Sequence, residues 1–202
     1  MTKPIYFSLD IETDGPIPGV NSMLQLGCAA FTEGNGIKPI STFSMNIQKL
    51  DDAVEDAKTM QFWKANEKIY ESFKMNANPP AYAMSAFSDW IEGISKARSM
   101  REEINYKPVA VAYPPGFDFT FIYWYFFKFL GSCPFSRRCI DISSYYAGMT
   151  KKDFHACYKR NFNKSWFSTE HKHTHYAVDD AIEQGILFIN MVRDNRDTYD
   201  LK

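Results

Sequence analysis

The chain has 202 residues, 45% of them hydrophobic and 23% charged, with a formal net charge of −1. That balance excludes a disordered chain and gives no global basic field that would announce a nucleic-acid partner. The length suits one sizeable domain over residues 1–202.

The outlying figure is the 16% of aromatic residues, which suits an aromatic-heavy core or faces where rings stack on a ligand. Cys28, Cys133, Cys139 and Cys157 form no C-x-x-C pair and read as reduced thiols of a cytoplasmic protein. The N-terminus enters a strand almost at once, leaving no room for a signal peptide. The most apolar run, residues 117–131, is broken by Asp118 and Lys128. It is too short to span a bilayer, so no membrane association is expected.

In chain order, residues 5–10, 23–31 and 39–47 read as three strands, with "EGNG" at 33–36 as a hairpin turn. From Asp51 the period changes to one or two helices, and "YAMSAFSDWIEGISKA" reads as another ending near Lys96. "KPVAVAY" at 107–113 is a short buried strand. A Pro-Pro-Gly breaker, an aromatic helix, a short strand at "RCIDI" and a helix over 177–193 follow. Three strands as a meander, then helices alternating with strands, imply an α/β fold with a mixed sheet covered by helices.

"FSLDIETDGP" brings three acids to the end of the first strand, and no Lys or Arg lies between Lys3 and Lys38. Side chains two apart on a strand share a face, so Asp10 and Glu12 point the same way. Two half-buried carboxylates side by side repel unless a cation fills the gap, and hard oxygen donors suit magnesium or manganese. The competing reading is a polar turn made by Glu12, Asp14 and Gly15. Taken alone, D-x-E-x-D-G fits both.

Asp118 follows a strand and a breaker and opens an apolar helix, which also suits a helix N-cap. His175 precedes the last helix, and Asp179 and Asp180 lie in its first turn, where the helix dipole favours acids anyway. His171, His173 and His175, with Cys157 upstream, raise a zinc reading, although no second cysteine pair supports it.

Taken in order, D-I-E-T at residues 10–13, the lone Asp118 after a strand, and H-x4-D ending at Asp180 resemble the DEDDh exonucleases, the DnaQ-like branch of the ribonuclease H-like fold. "MLQLGCAAF", "PVAVAY" and "PFSRRCIDISSYY" are similar to that family's intervening segments, so the resemblance covers residues 5 to about 193. It implies a five-stranded ribonuclease H-like mixed sheet with helices on both faces, and a 3'-5' exonuclease. The substrate would be the 3' end of single-stranded RNA or DNA, and the products nucleoside 5'-monophosphates.

The resemblance further implies two Mg2+ or Mn2+ ions. Asp10, Glu12 and Asp180 would hold the first, Asp10 and Asp118 the second, and His175 would be the general base. It puts Thr13 and a wedge at Pro16 or Ile17 against the substrate, and leaves Asp179 outside the ligand set. It leaves monomer or homodimer open.

The helix rings read mostly as core, with Phe119, or else Trp63 and Trp166, as candidates for base stacking. "KRNFNKSWF" at 159–167 reads as a solvated loop or as a lid on the substrate backbone. A reading from another class is a catalytically silent ribonuclease H-like domain that binds nucleic acid or a partner protein. Degenerate members usually lose an acid or the histidine, and this chain keeps all five.

Overall fold

Strand alternation and one close helix–strand contact organise the chain. The computed structural model describes the backbone of residues 1–200 and the side chains of residues 1–196. Five strands form one mixed sheet: β1 (Thr2–Thr13), β2 (Met23–Phe31), β3 (Ser41–Asn46), β4 (Asn105–Ala112) and β5 (Cys139–Asp141). They lie in the order β3-β2-β1-β4-β5. β1 is antiparallel to β2 and parallel to β4, and β5 runs parallel to β4. The five-stranded mixed α/β sheet that the family resemblance implies is the one observed.

The first strand is longer than the expected 5–10 and carries Glu12 within it. "EGNG" is not a tight hairpin: a 3-10 turn at Glu33–Asn35 is followed by further coil before β3 begins. Six α-helices complete the fold: α1 (Ala57–Ala65), α2 (Glu67–Lys74), α3 (Pro80–Glu102), α4 (Asp118–Leu130), α5 (Ile142–Thr150) and α6 (Ala177–Asp200). α3 runs beyond the expected Lys96, and α6 beyond residue 193. Among the described residues no helix is long and apolar enough to cross a membrane.

The two-residue period of β1 divides the interior. Ile5, Phe7, Leu9 and Ile11 face one core, with Phe87 and Ile91 of α3 and Phe121, Tyr125 and Phe126 of α4. The aromatic excess resides largely here: Phe87 stacks on Phe126 at 5.6 Å, and Phe7 meets Trp90 edge-on at 5.5 Å. Tyr6 faces the opposite core with Tyr146 of α5 and Leu187 and Phe188 of α6. Even-numbered residues of β1 therefore look toward α6.

α6 sits unusually close to the sheet because β2 carries Gly27 beneath it. A Cβ on Gly27 would lie 2.1 Å from the Ala177 carbonyl carbon and 2.2 Å from the Val178 nitrogen. The Gln25 side chain accepts a hydrogen bond from the Ala177 N–H at 2.8 Å, satisfying one of the orphan donors of a helix start. The Gln184 side chain donates to the Leu9 carbonyl.

Gly27→Ala is therefore expected to lift the first turn of α6 and cost about 1–3 kcal/mol, read as a lower urea midpoint. Gly93→Ala, on an exposed stretch of α3 with no atom within 4 Å of a new Cβ, is expected to stabilise by about 0.5–1 kcal/mol. Equal midpoints for the two variants would contradict this account.

Candidate active site

Asp10 and Glu12 stand on the α6 side of β1, at the end of the strand that outruns its parallel neighbour. The β1–β4 ladder stops at Ser8↔Val111, whereas β2 continues alongside β1 through Asp10↔Gly27 and Glu12↔Gln25. Both acids thus lie in the crevice beyond the carboxyl end of β4, where open α/β sheets place their ligand sites. β4 ends at Ala112, and the chain returns through Pro114, Pro115 and Gly116 to start α4.

Asp118 is the first residue of α4 rather than its N-cap, which is Phe117. Its carboxylate accepts from the Ile11 N–H at 3.2 Å, between the two strand acids. Asp180 comes from the first turn of α6, one of its oxygens accepting from the Thr174 N–H at 2.8 Å and the other from the His175 N–H at 3.1 Å. Those two bonds hold His175 at φ +61°, a left-handed conformation that non-glycine residues adopt only when their surroundings impose it. Asp10, Glu12 and Asp180 each offer a carboxylate oxygen, all within 4.8 Å of one another.

Such crowding leaves a strong imprint on the carboxyl groups. Burial, and then the charges of Asp118, Glu12 and Asp180, push Asp10 well above the ordinary carboxylate range. Burial first and then Asp180 and Asp118 push Glu12 to about 9. Asp118 is pushed to about 8 by burial, against the opposing Ile11 N–H and Lys159. Asp180 is raised by burial, with the Thr174 N–H and His173 pulling the other way.

Lys159 acts on both Asp10 and Asp118, yet its ammonium is already paired with Glu183 at 2.6 Å. The acids are thus short of positive charge. An all-oxygen donor set on a rigid strand and a helix start is one that a hard divalent cation fits.

The remaining sequence candidates separate. Thr13 and Pro16 line a cleft of about 160 Å³ beside the acids, together with Glu12, Gly15, Thr59, Phe62, Trp63 and Phe117. Ile17 does not line the cleft and is 54% exposed. Phe119 turns away into the ring cluster with Tyr123 and Phe135, and Phe117 takes the cleft position instead. Trp63 is buried with its indole N–H on the Thr13 carbonyl at 2.8 Å, so it supports the cleft floor.

Trp166 is core, its indole donating to Asp194 at 3.0 Å. Asp14 belongs to the turn, accepting from the Ser22 N–H at 2.6 Å. Asp179 accepts from the Thr174 hydroxyl at 3.0 Å. Cys157 is buried in the α6-side core, and neither it nor His171 joins a metal-capable group among the described residues.

Sequence reasoning missed Phe62 and the position of His173, and named Lys159 only within the 159–167 stretch. Phe62 is exposed on α1 and meets the His175 ring edge-on at 5.0 Å. No periodicity distinguishes it from its buried neighbour Trp63. Lys159 was visible only as one charge in a mixed loop. His173 had a signal, the H-x-H alternation that puts two imidazoles on one side of an extended chain.

No protein-family model matches the chain. It is 30% identical over 187 residues to the curated 3'-5' DNA exonuclease Cap18 of Escherichia coli, covering 92% of this chain and 90% of that one. Among solved structures it is similar to the nuclease domain of 3'hExo, described as a DEDDh family member bound to rAMP. The TM-score is 0.69 at 13% identity, over 95% of this chain and 93% of that one. It is also similar to S. pombe Pop2p in its Mg2+- and Mn2+-bound form, with TM-score 0.50 at 14% identity over 92% and 82% of the two chains. The similarity to Cap18 spans nearly the whole of both chains: the chain belongs to the DEDDh 3'-5' exonuclease family.

Proposed function

We propose that this exonuclease uses two divalent cations to remove nucleoside 5'-monophosphates from the 3' ends of single-stranded nucleic acid. The observation that carries the reading is the convergence of Asp10, Glu12 and Asp180 oxygens within 4.8 Å, with His175 bonded through its backbone to Asp180. Asp10, Glu12 and Asp180 would hold one ion, and Asp10 with Asp118 would hold the other. When bound, the two ions supply positive charge at the attacking and leaving oxygens of an in-line phosphodiester hydrolysis.

His175 takes the proton from the attacking water. Burial and the neighbouring His173 lower its pKa, which keeps the imidazole neutral and able to accept at neutral pH. Phe62, Phe117 and Pro16 form the wall against which the terminal nucleotide stacks, and Lys159 lies where it can meet a backbone phosphate. All these groups come from one chain, so the site works in a monomer or a homodimer. The four free cysteines fit a cytoplasmic setting.

The naming of the E. coli relative as a DNA exonuclease favours DNA, whereas the rAMP bound to 3'hExo keeps RNA in view. A time course on matched 5'-labelled DNA and RNA oligomers, with Mg2+ or Mn2+, tests the reading. A ladder shortening from the 3' end is expected, faster on DNA. Internal cleavage or no product would overturn it. Asp10→Asn is expected to abolish turnover, and His175→Gln to lower kcat roughly 10²–10⁴-fold, both with native circular dichroism.

The electrostatics add a stability test. Glu12 goes from 4.5 in the unfolded chain to about 9 in the metal-free fold, and Asp118 from 3.8 to about 8. In that window the folded state holds protons that the unfolded state has released, so metal-free stability falls as pH rises. Mg2+ or Mn2+ binds the ionised carboxylates, so its stabilising increment grows over the same window.

A cation at 100 times its Kd adds about 2.7 kcal/mol, or ~5–10 °C in a domain of this size. Melting curves with and without Mn2+ between pH 5 and 9 should diverge, and Glu12→Gln should narrow the divergence. An increment that shrinks as pH rises would contradict the assignment.

A further inference from the structure

The histidine loop places a second donor set against the first. His173, His175 and Asp180 each present a ligand atom, all within 4.8 Å of one another. His173 Nδ1 lies 2.9 Å from Asp180 Oδ2, and the two imidazole rings meet edge to face at 4.4 Å. The backbone builds this convergence. The Thr174 and His175 N–H groups both bond to Asp180, fixing the loop around the carboxylate. Phe62 packs edge-on to the His175 ring. His173 is 55% exposed, so an ion reaches the set from solvent without opening the core.

We propose that His173, His175 and Asp180 form a zinc site that switches the nuclease off. Two imidazoles and one carboxylate leave a fourth position for water, the pattern of three-ligand zinc centres. Donor atoms of a tetrahedral zinc with bonds of ~2.0–2.1 Å lie ~3.3 Å apart. The Nδ1–Oδ2 distance of 2.9 Å is close to that value, and side-chain rotation closes the rest.

Imidazole suits Zn2+, whereas the all-oxygen set of Asp10, Glu12 and Asp180 suits Mg2+ and Mn2+. Asp180 belongs to both sets, so the two occupancies oppose each other, and by linkage each weakens the other by the same factor. Zinc here also ties up the His175 imidazole. This consequence for activity rests on the proposed function, but the site itself does not.

The test uses untagged full-length protein stripped of metal and titrated with Zn2+ against a chromophoric chelator, in excess Mg2+. One equivalent is expected to bind, and Co2+ in its place should show the visible absorption of a tetrahedral nitrogen–oxygen site. Even an outer-shell partner of a metal ligand is worth about 10–100-fold in affinity, so His173→Gln should weaken Zn2+ binding at least that much. His171→Gln should bind Zn2+ as the unaltered protein does, and Glu12→Gln at least as tightly, since it weakens the competing Mg2+.

In the nuclease assay with Mg2+, Zn2+ should inhibit the unaltered protein, while His173→Gln, compared with its own zinc-free rate, resists inhibition. Unchanged Zn2+ affinity in His173→Gln would overturn the proposal. So would an equal loss in Glu12→Gln, since the ion would then sit on the strand acids. A protein that binds Zn2+ through His173 yet cleaves no nucleic acid would refute the nuclease reading and leave the zinc site standing.

Discussion

Everything at the site depends on how closely α6 lies over β1 and β2. Gly27 removes the side chain that would otherwise stand between the sheet and the backbone at Ala177 and Val178. Gln25 and Gln184 then fasten the helix at two points, one on its first N–H and one on the Leu9 carbonyl. The outcome is that Asp180 reaches Asp10 and Glu12, 168 or more residues away along the chain, within bonding range of a common ion. Were α6 packed at an ordinary helix–sheet distance, Asp180 would stand away from the strand acids and the three-carboxylate set would not close.

That seat creates an electrostatic conflict within the fold. Four acids are driven together by hydrophobic packing on both sides of the sheet, and every one of them is held above its ordinary pKa chiefly by burial. The fold compensates in part through backbone N–H donors at Ile11, Thr174 and His175, and through Lys159. These partners are enough to keep the acids in place but not to neutralise them. Stability is thereby given up at the place where a cation's charge is worth most, which is the usual arrangement for a site preorganised toward its ligand.

The chain order of strands and helices and the face shared by Asp10 and Glu12 were legible in the sequence because each follows from a local period. The meeting of Asp118 and Asp180 with the strand acids was not. It depends on where β4 stops and on the helix seat at Gly27, which are tertiary facts; only the ordered motifs of the family resemblance anticipated it. Boundaries drifted for physical reasons: β1 gains length from pairing to β2 beyond Asp10, and α3 continues because Tyr106 and Arg98 engage Glu102 near its end. Phe119 was misjudged by proximity to Asp118 along the chain. A helix start turns successive side chains by about 100°, so Phe117 and Asp118 face the cleft region while Phe119 enters the ring cluster around Phe135.

The division of labour between elements follows from the same geometry. The acids stand on β1 and on the first turns of α4 and α6, elements locked by the two cores. The walls of the cleft come from α1, which packs in its own small cluster through Trp63, and from the turns at Pro16 and Phe117, the latter at the edge of the α4-side core. Lys159 comes from the irregular segment anchored underneath by Phe162 and Trp166. A substitution in the walls can therefore alter which 3' end is accepted while leaving the carboxylate spacing intact. The histidine loop belongs to both groups. It is exposed enough to exchange ligands, yet tied through Thr174 and His175 to the one carboxylate that both donor sets share. That shared carboxylate makes the loop, rather than the strand, the place where the chemistry of this site can be regulated.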